Sequence, residues 1–568
     1  MDHDYRQLKG IHFLRLHGSH LERARMHGEI LKRPIQQGAI PALGKKNEWI
    51  IRRAGGAFAW GPLQNAAVAF YHNLLIPLMS KSLLPRDREL MMTLAEAAEV
   101  PYKTISRAMF QADGLMLLSR LSIMKYLFKD FPAQELPGCS SSVVHPSLTL
   151  NKKMLVSRNQ DYPVTGPWER ETTVIFHEPT EPGEIPHVCV VSAGLHTAGL
   201  TTMNKAGLTV AAHAHFGRDV SVRGMPIFVL GGLVASRAKT LNEAVEIVRE
   251  HNRYANWTFV VSSAKEQNAI AIEMGPKKMA VRSMEDGLLT HTNFFHTEMK
   301  EKEALICGGR YHDDQARVCR MRQVLLANKE QITPSTMSAM LGDHVDPWTG
   351  EERVLCNTLS VMATVKSVVF SPEEQQLYVS TRGRSPMGLG DFMKIDVNSF
   401  WSDKTSDEEW PMIAGNRPKT PGFLPAVDEY REGYRIWHME SHTDDYAERA
   451  LVHLRKAQAL LPTDPHLSMQ VGIVGLKLGH FREAITHLEQ AKRGKLVQYL
   501  AAVCDLFLAR ACDAEGDRER ALKLYQTWAQ YPDPRLRKAM EEGIRRPFQK
   551  NKTDQIMLDM QFVDPIMY

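Results

Sequence analysis

The hydrophobic period changes at Cys139, and the two patterns on either side cannot belong to one kind of element. Before it, RDRELMMTLAEAAEV and KTISRAMFQADGLMLLSRLSIMKYLF repeat apolar residues every three or four positions. That is the spacing of amphipathic helices, so residues 1–138 read mostly as helical. From Cys139 to about Asp396 the chain turns to short segments such as HVCVVSAG, GLTVAAHAHF, WTFVVSSA, NAIAIEMG and LYVSTRG. These are rich in Val, Ile and Thr and bounded by turn residues, as strands are. Two helical patterns, TLNEAVEIVREH and DDQARVCRMRQVLLANK, fall between them. Many strands with a few helices imply stacked sheets covered by helices.

Beyond Asp396 the character changes again. Residues 397–435 carry Pro411, Pro418, Pro421 and Pro425 and read as a linker. A repeat follows: ALVHLRKAQALL from Ala450 realigns with AITHLEQAKR from Ala484, matching Ala450/Ala484, His453/His487 and Leu454/Leu488. A separation of 34 residues is the tetratricopeptide period. A looser third unit lies near Ala521. The expected division is therefore 1–138, 139–396, a linker at 397–435, helical repeats at 436–550 and a tail at 551–568. An unrelated helical hairpin bundle would serve the same packing purpose. Solenoid units bury their apolar faces mainly against neighbouring units, so a chain ending near Pro425 is expected to keep its chemistry.

Composition limits the partners. Net charge is +5 over 568 residues, which gives no reason to expect nucleic acid. The basic surplus sits in residues 1–138, with 19 Lys+Arg against 12 Asp+Glu. Seven scattered cysteines without CxxC spacing argue against a disulfide framework and a zinc site. The polar start MDHDYRQLKG does not read as a secretory signal, and a reducing cytoplasm is the expectation. The apolar stretch from Ala57 to Pro85 is interrupted by Gln64, Asn65, His72 and Asn73. It reads as a buried or interfacial helix in contact with a membrane surface, not as a transmembrane span.

The chemistry concentrates in PGCSSSVVHPSLTLNKKMLVSRNQDYP. A thiol is the strongest side-chain nucleophile near neutral pH, but free cysteine, with a pKa near ~8.5, is mostly protonated. An α-amine on the same residue can take its proton, provided that the cysteine begins a chain. For Cys139 this requires cutting the bond after Gly138, a residue with no side chain to obstruct attack.

These residues resemble the acyl-coenzyme A:6-aminopenicillanic acid acyltransferase family (the C45 peptidase-like family), a group of N-terminal-nucleophile hydrolases related to bile-salt hydrolases and acid ceramidase. The resemblance rests on GCSS followed by SRNQDYP, on LHGSHLERARMHGEIL, LAEAAEV and TTMNKAGLTV, and on LTHTNFF. It spans roughly residues 14–390 and leaves the repeats outside. It implies a four-layer αββα core and self-cleavage between Gly138 and Cys139; with the repeats added, the expected fold class is α+β, that core followed by a small all-α tetratricopeptide-like domain. Carried over, Cys139 is the nucleophile and Asp161 the carboxylate that orients the new α-amine. Arg158 is the cation beside the thiol, and Asn293 the oxyanion donor. Two departures stand out. Phe294 and Phe295 follow Asn293 where the family has His, and Asn357 stands where it has Arg; Arg353, Arg317, Arg320 or Arg322 are the substitutes. His213 and His215 alternate on one strand face and read as pocket-lining, with no metal.

The implied function is hydrolysis or transfer of the acyl group of a small linear amide through a Cys139 thioester, with no cofactor. The alternative is a degenerate core whose repeats recruit a protein partner. The two are compatible if the repeats dock an enzyme onto its substrate carrier.

Overall fold

The computed structural model describes residues 4–53, 61–118, 138–162, 165–196, 199–215, 217–302, 308–401, 410–441, 443–561 and 564–566. Its strands, in chain order, are β1 (Tyr5–Leu8), β2 (Ile11–Gly18), β3 (Gly138–Val144), β4 (Leu155–Asp161), β5 (Thr172–Pro179), β6 (His187–Ser192), β7 (Thr201–Asn204) and β8 (Leu208–His215). They continue with β9 (Asn256–Ser263), β10 (Asn268–Met274), β11 (Met279–Ser283), β12 (Leu288–His291), β13 (Thr364–Ser371), β14 (Gln376–Ser380), β15 (Phe392–Asp396) and β16 (Met412–Ile413). One large sheet runs β1-β2-β5-β6-β7-β8-β9-β10-β11 and another β12-β3-β4-β13-β14-β15-β16, while two further strands, β17 (Met557–Asp559) and β18 (Asp564–Ile566), pair with each other in the tail.

Strand β5 shows how the layers stack. Val174 and Phe176 lie in the cluster between the sheets with Val143, Val156, Val368 and Phe370. Ile175, on the opposite face, joins Leu94, Val234 and Val245 of the covering helices. Outside the second sheet, Met321, Leu325, Met337 and Leu341 of helices Gly308–Ala327 and Pro334–Leu341 cover Val144, Leu155 and Val369. With both faces covered, the strands read as near-continuous apolar runs. The layers are α, β, β and α, as expected.

Residues 1–138 are mostly helical where described, as expected, but two strands that the sequence reading did not find precede the helices. Tyr5–Leu8 and Ile11–Gly18 are strands, and β2 pairs parallel with β5 from His12↔Thr173 to Gly18↔Pro179. The physical reason is that IHFLRLH is apolar on both sides of a pleat: Ile11 and Phe13 face the other sheet, and Leu14 and Leu16 face the helices. The turn into the next helix is built from Gly18, at φ 95, and a capping box in which Ser19 N–H donates to Glu22 Oε2 at 2.7 Å.

Of the stretch 57–85, residues 57–60 lie outside the described residues. The rest forms helix Gly61–Phe70, a π-helical turn Tyr71–Leu75 and helix Ile76–Ser80. Val68, Tyr71, Leu75, Ile76 and Met79 are buried, while Phe70, Leu74 and Leu78 are 41%, 57% and 39% exposed. No helix among the described residues is long and apolar enough to cross a membrane.

Residues 397–435 hold helix Val397–Trp401, strand β16 and the start of helix Phe423–Met439, with 402–409 outside the described residues. Six further α-helices follow among the described residues: Tyr446–Leu460, Pro465–Lys477, Phe481–Lys492, Gln498–Glu515, Arg518–Thr527 and Pro534–Arg545. Ala450, Ala484, Leu454 and Leu488, equated by the 34-residue period, are all buried. In the tail, Leu558 O accepts the indole N–H of Trp437 at 3.0 Å. This helical region is joined to the sheets through the segment after Glu351. Val354, Leu355 and Cys356 share its apolar cluster. Val354 N–H donates to Asp464 Oδ2 at 3.2 Å, and His466 Nδ1 donates to Leu355 O at 2.8 Å.

Candidate active site

The register of β3 against β4 brings the sequence motif together. Gly138 faces Asp161, Cys139 faces Gln160, and Ser141 faces Arg158. A hairpin of this length therefore explains why GCSS and SRNQD stand about twenty residues apart. Cys139 is buried, and Arg158 Nη2 lies 3.2 Å from its Sγ. Arg158 is itself fixed, donating from Nε to Thr201 Oγ1 at 2.8 Å and from Nη2 to Ala212 O at 2.5 Å. Burial pushes the Cys139 thiol up, and the Arg158 guanidinium is the largest influence opposing it. The balance of the two favours the protonated thiol.

Asp161 lies against the bond preceding Cys139. Its Oδ1 accepts the Thr364 hydroxyl at 2.7 Å. Its Oδ2 is 3.7 Å from Arg317 Nη1 and has no hydrogen-bond partner among the described residues. Burial raises its pKa, with Arg317 the main opposing charge. A Cβ on residue 138 would stand 3.1 Å from that Oδ2 and 3.2 Å from the Asp161 Cβ. Only a bare Cα lets the carboxylate sit so close without displacement.

Of the arginines offered as substitutes, the structure brings Arg317 to the site. Its Nη1 donates to Cys139 O at 2.8 Å and to Ser140 Oγ at 2.9 Å. Its Nε donates to Asp313 Oδ2 at 2.9 Å, and Nη2 bonds Asp314. Arg320 instead pairs with Asp343 at 2.7 Å, and Arg353 reaches Lys495 O at 3.4 Å. Burial works against the charge of Arg317, but Asp314, Asp313 and Asp161 more than offset it. Burial also pushes Asp313 up to about 7, against the pull of Arg317. Asn357, at φ 59, donates its N–H to Asp313 Oδ1 at 2.8 Å. It thus touches the carboxylate that holds Arg317. Asp313, Asp314 and Thr364 carry no motif signal, since only the folded helix and sheet bring them here.

Asn293 Oδ1 accepts the Cys139 N–H at 2.7 Å, and Nδ2 donates to Ala214 O at 2.9 Å. A backbone donor on one side and a carbonyl on the other fix which way the amide points. Its donor is therefore engaged, and acting on an oxyanion would require it to release Ala214.

His213 and His215 are both fully buried. His213 Nε2 lies 2.9 Å from Ser141 Oγ and 3.2 Å from Arg158 Nη1, and burial followed by Arg158 keeps it neutral. His215 stacks on Phe295 with ring centres 4.1 Å apart. They adjoin His291, whose ring lies edge-on to His213 at 5.0 Å. Among the described residues no three His, Cys, Asp or Glu side chains are grouped as metal ligands. His213 thus lies against Arg158 and Ser141, and His215 against Thr258, His291 and Phe295.

Residues 149–385 match the profile of a family described as acyl-coenzyme A:6-aminopenicillanic acid acyl-transferase. The matched span includes Arg158, Asp161, Asn293 and Arg317 and begins beyond Cys139. Curated proteins yield no match to the chain.

Proposed function

From an acyltransferase-family match across the strand-rich core, we propose that this protein is an autoprocessing cysteine N-terminal-nucleophile amidohydrolase or acyltransferase acting on linear amides. The observation that carries the reading is the 3.2 Å approach of Arg158 Nη2 to Cys139 Sγ, beside a carboxylate set against Gly138. In self-cleavage, Asp161 Oδ2 takes the thiol proton and Sγ attacks the Gly138 carbonyl carbon. The Gly138–Cys139 C–N bond breaks, the amine nitrogen receives the proton, and water hydrolyses the resulting thioester. In turnover, the freed α-amine takes the thiol proton, and Arg158 stabilises the thiolate as it attacks the substrate carbonyl. The leaving amine departs protonated and the acyl group remains on Sγ. Water or an acceptor amine then attacks the thioester. Hydrolysis is the favoured outcome because water is always at hand.

The exposed side chains of Phe70, Leu74 and Leu78 support contact of this segment with a lipid surface. The test is the intact mass of purified protein, alone and after a thiol-reactive acyl probe. Fragments 1–138 and 139–568, with the probe on Cys139, are expected. A fully active chain that stays uncut would overturn the mechanism.

A further inference from the structure

A cavity lies in the C-terminal helices, among Arg510, Tyr525, Glu542, Arg546, Phe548 and Lys552. Arg510 is only 8% exposed. Its guanidinium Cζ lies 5.1 Å from the Phe507 ring centre and 5.2 Å from that of Phe548. Both rings engage the cation through their π-faces, which leaves its N–H groups free to meet an acceptor in the cavity. No hydrogen bond from those groups to another described residue accompanies these ring contacts. Glu542 is the carboxylate that acts on this charge, and the guanidinium stands on the wall of the cavity. Arg546 and Lys552 line the same cavity, and Glu542 is its one carboxylate.

We infer that this cavity is a binding site for a phosphate monoester group, with Arg510 as its buried anchor. Three cations and one carboxylate leave a local surplus that a dianion neutralises. A guanidinium edge presents parallel donors that match two phosphate oxygens. The cavity, about 40 Å³, suits a single oxyanion group, and the body of the ligand would remain outside. Arg510, Arg546 and Lys552 belong to neither half of the Cys139 machinery, so this inference stands whether or not that site turns over amides.

The experiment is ³¹P NMR of inorganic phosphate with the full-length protein at fixed ionic strength. The wild type is expected to broaden the resonance, and Arg510→Met, which keeps an apolar filling against the rings, to abolish the effect. Arg546→Gln/Lys552→Gln, changed only at the cavity mouth, is expected to weaken binding at least tenfold and guards against a folding defect in Arg510→Met. Phenyl phosphate should displace phosphate, and its advantage over free phosphate would distinguish an ester ligand from the inorganic ion. Equal broadening by wild type and both variants would overturn the site. Displacement by acetate as effective as that by phenyl phosphate would overturn the assignment to phosphate.

Discussion

Asn293 Oδ1 holds the backbone N–H of Cys139 at 2.7 Å, and the same oxygen lies 3.4 Å from Arg317 Nη2. One amide oxygen thus ties the nitrogen that self-cleavage would free to the cation that grips the Cys139 carbonyl. Asn293→Ala is expected to lower kcat by ~10²–10³. If its task is to seat that nitrogen, the variant should also release fragments 1–138 and 139–568 more slowly. A time course on denaturing gels checks this, and processing at the wild-type rate would confine Asn293 to substrate turnover.

Asp161→Asn should leave the chain uncut. The substitution keeps the size of the side chain and its contact with Thr364, but removes the base beside Gly138. Intact mass gives the answer, and normal cutting would remove Asp161 from the cleavage step.

Asp313 makes stability depend on pH. Burial raises its folded pKa to about 7, against an unfolded value near ~4. The folded state therefore holds the proton more tightly, and this contribution is complete below pH ~4 and lost as pH rises through about 7. Wild-type Tm should fall relative to Asp313→Asn between pH 5 and pH 8 on the order of a few degrees. A constant difference across that range would exclude Asp313 as the titrating group.

Removing the C-terminal helices should disable the site, contrary to the separability expected from repeat architecture. A chain ending near Pro425 loses Asp464 and His466, which bond Val354 and Leu355. Two residues on, Asn357 bonds Asp313, and Asp313 bonds Arg317. Probe labelling of Cys139, with circular dichroism to verify folding, compares the truncated and full-length proteins. A folded, labelled truncation would show that the 351–358 segment holds its shape alone.

The exposed side chains of Phe70, Leu74 and Leu78 predict sedimentation with anionic phospholipid vesicles. Leu74→Ser/Leu78→Ser should reduce the bound fraction at least several-fold while leaving Tm unchanged, because both side chains already face outward. Equal binding by the variant would discharge them from this role.

Much of the site was legible because strand pairing is local. Cys139, Arg158 and Asp161 sit on one hairpin, so their spacing in the chain is nearly their arrangement in space. Arg317 was one of four arginines that the sequence could not rank. What selects it is the packing of its helix over β3, a contact between residues 178 positions apart. Strand β2 was missed because both of its faces are buried, which removes the alternation that marks a half-exposed strand. Asn357 looked like a lost functional residue, whereas at φ 59 its backbone N–H bonds Asp313 and its side chain donates to Asp346 Oδ2, contacts that only the fold assembles.

The chain of contacts from His466 through Leu355 and Asn357 to Arg317 also sets a schedule. Protein synthesis delivers Cys139 long before residues 313–317, and those before residues 464–466. A nascent chain therefore displays the thiol while the groups that would position it do not yet exist. If the bond after Gly138 yields only in the completed arrangement, cutting is a certificate of finished folding, and a reactive amine-thiol pair is never exposed on a half-made chain. The same ordering implies that a chain stalled before Asp464 would keep its first residue joined to its last.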